Sequence, residues 1–258
     1  VSQTSKATPF SNCIRTELLA QTFYLHPHAA IYWEEQKTLL VADLHLGKAT
    51  HFRRHGLAVP TYVQDETLEK LTGLLLDFKP DRLLMLGDLF HSDYNPEWED
   101  FADLVMAFSH VKFALVPGNH DRLTYHQYEK YKIQVHEEPY FEGPFAFSHH
   151  PLEQEVLLRE KTADLRKAGF NSEPVTKHSG AQEKEVEPQT PAYNLAGHVH
   201  PAVMLQGKRD RMRLPCYYFG ENAGLLPAFG AFTGMYTIQP VKGDNVFVLT
   251  GSKVMEVG

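Results

Sequence analysis

Hydrophobic residues fall along this chain in two patterns. Short apolar runs at Thr38–Ala42, Arg82–Leu86, 113–116, Phe145–Ser148 and Tyr193–Ala196 have the length and content of strands covered on both faces. Between the first three lie two segments whose apolar residues recur every three or four positions. In 60–78 these are Val63, Leu68, Leu71, Leu74, Leu75 and Phe78, with Pro80 just beyond; in 96–109 they are Trp98, Phe101, Leu104, Val105 and Phe108. That spacing predicts two amphipathic helices. The first half therefore reads strand, helix, strand, helix, strand, the plan of an α/β fold.

Upstream, alternating apolar residues from about 23 to 33 predict one strand that folds back on Thr38–Ala42 through the polar Glu34-Glu35-Gln36-Lys37 turn. Residues 1–20 are expected to be an amino-terminal tail. Downstream, 152–170 reads as a charged helix. Residues 171–190, rich in Ser, Glu, Gln, Lys, Pro and Gly, have little to bury and are expected to be a mobile insertion without metal ligands, His178 included. From Arg211 the chain turns strand-rich, most clearly at 214–219 and 246–249. One domain spanning 1–258 is the expectation.

Composition narrows the class. A chain of 258 residues, 43% hydrophobic and 22% charged, can bury one large core. Its two cysteines, Cys13 and Cys216, are far apart and form no Cys-x-x-Cys pair, so neither a disulfide framework nor a zinc-thiolate site is expected. A reducing cytoplasm suits that usage. No apolar stretch reaches the roughly 20 residues of a membrane span, and the polar start lacks the layout of a secretory signal. A formal net charge of -7 argues against coating nucleic acid by bulk electrostatics, while leaving local binding of a phosphodiester open.

Each apolar run ends in polar residues that can bind metal. These are Asp43-Leu44-His45, Gly87-Asp88, Gly118-Asn119-His120-Asp121, His149-His150-Pro151 and Gly197-His198-Val199-His200. Each cluster alone is commonplace; an isolated Gly-Asp is usually a turn. Their placement at successive strand ends carries the weight, because open α/β sheets gather their ligand sites there. Carboxylate, amide and imidazole ligands without sulfur suit Mn, Fe, Zn, Co or Ni. If 149–150 is extended, His149 and His150 point opposite ways, so at most one faces the metals.

This series resembles the calcineurin-like metallophosphoesterase superfamily. Its signature is Asp-x-His, Gly-Asp, Gly-Asn-His-(Asp/Glu), a His, then Gly-His-x-His, and every element is present in order from Asp43 to His200. Two more stretches are similar to its DNA-ligase-associated, PdeM-type branch. They are Ala42-Asp43-Leu44-His45-Leu46-Gly47-Lys48 with Phe52-Arg53-Arg54-His55-Gly56-Leu57-Ala58-Val59-Pro60, and Leu226-Pro227-Ala228-Phe229-Gly230-Ala231-Phe232-Thr233-Gly234. The resemblance implies a four-layer α/β/β/α sandwich of two mixed β-sheets flanked by helices. It also implies two divalent metal ions, with manganese expected. Asp43, His45 and His200 would hold one ion, Asn119, His149 and His198 the other, and Asp88 would bridge them. A metal-bridging hydroxide would attack phosphorus in line, and His120 would assist the leaving group with Asp121 beside it.

Several positions keep two readings. Asp121 is either the partner of His120 or a helix cap before 122–130. Arg53, Arg54 and Lys48 either meet substrate phosphates or form a basic surface turn, and His150 either lines the cleft or contacts substrate. His91 and Asp93 are either groups behind the ligands or ordinary loop polars. Phe229 and Phe232 are either a platform for bases or part of a packed loop. The activity implied is phosphodiester hydrolysis, narrowed by the branch to a DNA endonuclease in repair. Its substrate would be single-stranded or flapped DNA, beside an ATP-dependent DNA ligase and a helicase. The rivals are a small-molecule phosphodiesterase or nucleotidase, and a non-catalytic scaffold.

Overall fold

The computed structural model describes residues 10–48, 62–90, 97–153, 193–207, 210–231 and 233–257. The first sheet takes its strands in chain order. They are β1 (Ile14–Leu18), β2 (Gln21–His26), β3 (Ala30–Trp33), β4 (Thr38–Ala42), β5 (Arg82–Leu86), β6 (Lys112–Val116) and β7 (Ile133–Val135). Neighbours are antiparallel up to β4 and parallel from β4 to β7. Helices α1 (Tyr62–Phe78) and α2 (Glu97–Ala107) fall between the parallel strands, as the periodicity predicts, and a short α3 (Tyr125–Lys130) precedes β7.

Two expectations for the amino-terminal region need correction. The supposed strand over 23–33 is two strands, because Pro27 cannot donate to a ladder and the chain reverses there, with Ala29 at φ +58. The supposed tail enters the sheet at Ile14, which pairs with Leu25. Ile14, Thr16 and Leu18 are half-buried while Arg15 and Glu17 are exposed, the alternation of an edge strand. Phe10 adds to this anchor, its ring 4.2 Å from Tyr24 and 5.4 Å from Phe78.

The second sheet is also mixed. It contains β8 (Tyr140–Glu142), β9 (Phe145–Ser148), β10 (Tyr193–Ala196), β11 (Pro201–Gln206), β12 (Arg211–Phe219), β13 (Ala223–Leu225), β14 (Tyr236–Thr237), β15 (Asn245–Leu249) and β16 (Val254–Val257). Its order is β14-β11-β12-β13-β10-β9-β8, with β15 pairing to β12 and β16. Aromatic side chains fill the space between the sheets. Phe145 meets Phe23 and Trp33 edge-on at 5.4 and 5.3 Å between centroids, and Tyr217 Oη reaches the carbonyls of His26 and Ala30 at 2.7 and 2.8 Å.

The opposite face of the first sheet is covered by helices: Phe78 of α1 stacks on Tyr32 at 5.1 Å, and Phe101 of α2 meets Phe113 at 6.1 Å. This is the α/β sandwich of two mixed sheets expected from the sequence. The helix expected at 152–170 lies, past residue 153, outside the described residues, as does the insertion expected at 171–190. What positions the site is register. Ala42, Leu86 and Val116 are direct partners across β4, β5 and β6, and Ser148 pairs with Ala196 across β9 and β10. The polar clusters therefore begin level with one another in each sheet.

Candidate metal centre

The chain turns sharply where those strands end. Asp43, His45, Asp88, His198 and His200 all have positive φ, between 47 and 63°. An L-residue there costs about 1 kcal/mol or more, and such strain persists only where the surroundings impose it. Here the loops after β4 and β5 continue to pair: Asp43 N donates to Gly87 O at 3.2 Å, His45 N to Asp88 O at 2.8 Å and Leu46 N to Leu89 O at 2.9 Å. From the other sheet, His198 N donates to Asp43 Oδ2 at 2.9 Å.

Two carboxylates and a ring of imidazoles meet at this edge. His149 Nε2 lies 3.1 Å from Asn119 Oδ1, 3.0 Å from His198 Nδ1 and 3.5 Å from Asp88 Oδ1. His200 Nε2 lies 3.2 Å from Asp43 Oδ1, and His45 Nε2 lies 3.7 Å from Asp88 Oδ2. Ligands bound about 2.1 Å from a shared ion stand roughly 3 to 3.5 Å apart, so most of these spacings suit a common cation. Among the described residues, three sets of potential ligand atoms lie mutually within 4.8 Å: Asp43, His45 and His200; His149, His150 and His198; and Asp43, Asp88 and His149.

A second observation supports the fit. Asp43, Asp88 and His149 are buried, and Asp43 Oδ1 accepts no well-formed hydrogen bond among the described residues, its near neighbour being His200 Nε2 at 3.2 Å. Burying ionised carboxylates costs several kcal/mol unless cations compensate them, so the donor set fits a pair of divalent ions. The surroundings also bias the imidazoles. Burial, with His150 and His149 nearby, holds His198 below its ordinary pKa. Burial pulls His200 down as well, but its close contact with the Asp43 carboxylate and the Gly234 carbonyl leave it raised.

The two-way positions now divide. His149 and His150 do not point apart, because β9 ends at Ser148 and the backbone turns a corner. Glu138 Oε1 accepts both successive N–H groups, at 2.7 Å from His149 N and 3.1 Å from His150 N, and Ser148 Oγ donates to His150 O at 2.6 Å. As a result both imidazoles approach His198, with ring centroids 4.8 and 4.0 Å away. The expectation that at most one could face the site assumed an extended segment. Glu138 carries no motif signal and was not foreseen; nor was Asn194, whose Nδ2 donates to Ser148 Oγ at 2.8 Å and braces the same corner.

His120 is half-buried beside the site, its N–H on Asp88 Oδ1 at 3.0 Å and its ring 5.8 Å from that of His45. Asp121 is not a helix cap. α3 starts later, after Thr124, whose N–H is taken by Gln127 Oε1 at 2.9 Å. The Asp121 carboxylate instead accepts the N–H groups of Leu89 at 3.0 Å and Gly118 at 2.8 Å, lashing the β6 loop to the β5 loop. Burial pushes its pKa up to about 6, against the hydrogen bond from Gly118. Lys48 is half-buried within electrostatic reach of Asp88 and Asp43; burial lowers its pKa and the two carboxylates resist that. Phe229 is wholly buried, which favours the packed loop over a base platform at that residue. Arg53, Arg54, His91, Asp93, His178 and Phe232 lie outside the described residues.

Gly87 shows how closely the site is built. It sits at φ +73, and a Cβ there would strike the His149 ring. Gly87→Ala is therefore expected to destabilise the protein by about 2–4 kcal/mol, combining left-handed strain with overpacking. It should also displace His149. Denaturant unfolding together with a manganese titration checks this, and wild-type values in both would contradict it.

The calcineurin-like phosphoesterase family model matches residues 36–223 of the chain. Among solved structures, the crystal structure of Pseudomonas putida nuclease MPE is similar, with 29% identity and a TM-score of 0.70, covering 95% of this chain and 100% of that one. No curated protein matches the chain.

Proposed function

This chain belongs to the calcineurin-like phosphoesterase family and is a metal-dependent phosphoester hydrolase, and on that premise we propose that it is a DNA nuclease of the ligase-associated branch. Its substrate is single-stranded or flapped DNA, its metal is manganese, and it works in the cytoplasm beside an ATP-dependent DNA ligase and a helicase. Support for a nucleic-acid substrate is the likeness to a nuclease at 29% identity over 95% of the chain. The observation that carries the chemistry is Asp88, whose two oxygens face different imidazoles, His149 at 3.5 Å and His45 at 3.7 Å.

In this reading Asp43, His45 and His200 would hold one ion, Asn119, His149 and His198 would hold the other, and Asp88 would be shared between them. A bound metal pair supplies Lewis acidity toward the phosphate and activates water for in-line displacement. The protein's own groups do the rest. The contact between His200 Nδ1 and Gly234 O, 2.9 Å, places the ring proton on Nδ1 and leaves Nε2 free to ligate. Asp88 fixes the backbone of His120, so that its imidazole can give a proton to the departing alkoxide. His150, on the same corner as His149, is assigned to substrate contact, and Arg53 and Arg54 to the substrate phosphates.

The test is cleavage of labelled single-stranded, double-stranded and flapped DNA in Mn, Mg and Zn, with bis-p-nitrophenyl phosphate as control diester. Cutting of single strands and flaps in manganese is expected. Turnover of the control with every DNA left intact would move the substrate to a small phosphodiester.

A further inference from the structure

The segment between β13 and β14 ties the two sheets together at the site. Leu226 N donates to Ala196 O, at the end of β10, at 2.8 Å; Phe229 N donates to Ala42 O, at the end of β4, at 2.8 Å; Gly230 N donates to Asp43 O at 3.0 Å. Further on, Gly234 O lies 2.9 Å from His200 Nδ1, and Tyr236 N donates to His200 O at 3.0 Å. One stretch of chain thus grips the backbone of Asp43 and both the backbone and the ring of His200. The approach is close enough that a Cβ on Gly230 would run into the Leu44 carbonyl. Asp43 and His200 are both in left-handed conformations of the kind that persist where surroundings impose them, and this stretch hydrogen-bonds the backbone of each.

The segment is in turn held from α1. Lys70 Nζ donates to the Phe229 carbonyl and sits 4.0 Å from the centroid of the buried Phe229 ring. A lysine is a costly choice for such a place. Burial lowers its pKa to about 8, with Glu66 pulling the other way, and an uncharged chain of similar length would pack there without that penalty.

We propose that Lys70 is a positioning residue for the metal subsite of Asp43, His45 and His200, acting through Phe229 and Gly230. The proposal rests on reading those three residues as metal ligands. Lys70 holds a carbonyl and a ring at once, which stops the segment from sliding and keeps the Asp43 carbonyl docked on Gly230. The corner that presents His149 and His150 is braced separately by Glu138 and Asn194. Loss of Lys70 should therefore weaken one ion site and spare the other.

Manganese titration of the full-length, metal-stripped protein tests this, with bound ions counted by electron paramagnetic resonance, for the wild type, Lys70→Met and Lys70→Arg. The wild type should take two ions. Lys70→Met should keep one at wild-type affinity and bind the other about tenfold more weakly, within the range seen when partners behind metal ligands are removed. Lys70→Arg, which keeps the cation and the donor, should restore the second ion. Thermal melting of metal-free Lys70→Met at neutral pH should be no lower than that of the wild type. Two wild-type affinities in Lys70→Met would overturn the proposal. Equal weakening of both sites with a lowered melt would overturn it too, by reducing Lys70 to a general packing role. A wild type that binds no manganese would instead bring down the reading of the ligands, and this proposal with it.

Discussion

Asp88→Asn is expected to reduce phosphodiester turnover roughly 10³-fold, about 4 kcal/mol of transition-state stabilisation, while making the metal-free protein more stable. The two effects have one cause. Asp88 is 3% exposed and Asp43 is 0% exposed, so two carboxylates share a buried site among imidazoles and backbone N–H groups, with Lys48 within electrostatic reach. In the metal-free protein that arrangement opposes folding, because charge is held away from water without a full counter-charge. The amide of asparagine keeps an oxygen for the His120 N–H, now at 3.0 Å, yet gives up the charge and the second ligating oxygen. Melting in chelator should therefore rise, by roughly 2–4 °C for each kcal/mol relieved. Added manganese should then raise the wild-type melt by mass action and leave that of Asp88→Asn nearly unmoved. Full turnover by Asp88→Asn would remove Asp88 from the reaction.

His120→Ala should separate proton transfer from metal binding. Its imidazole is proposed to protonate the leaving oxygen, a contribution of about 10²- to 10⁴-fold when general acids are removed. DNA leaves an alkoxide that needs this proton. Bis-p-nitrophenyl phosphate leaves a stabilised phenolate that does not. Cleavage of DNA should thus fall by roughly that factor and turnover of the chromogenic diester far less, while the manganese titration stays as in the wild type. Equal losses on both esters would assign His120 to the phosphate or to the metals in place of the leaving group.

Much of this architecture was legible because it rests on local periodicity. The apolar runs at Thr38–Ala42 and Arg82–Leu86 became central parallel strands, and the three-to-four spacing through Leu71, Leu74, Leu75 and Phe78 became the buried side of α1. Errors arose where a weak local signal was overridden. Ile14 to Leu18 alternates too briefly to announce a strand, and it became one because β2 offers an open edge. Pro27 was one residue in an otherwise continuous pattern, yet it split the strand expected over 23–33.

The sequence by itself determined which ligand types are present and that each follows a strand, since strand ends and polar clusters are both local properties of the chain. Only the tertiary structure decided which atoms meet. His198 N reaches Asp43 Oδ2 across 155 residues of sequence, and that meeting depends on how Phe23, Trp33 and Phe145 pack between the sheets. The corner at Glu138 that turns His149 and His150 to one side, the lashing by Asp121 and the grip of Lys70 on Phe229 are of the same kind. Each joins segments that share no pattern, and each is selected by the shape left when the core is filled.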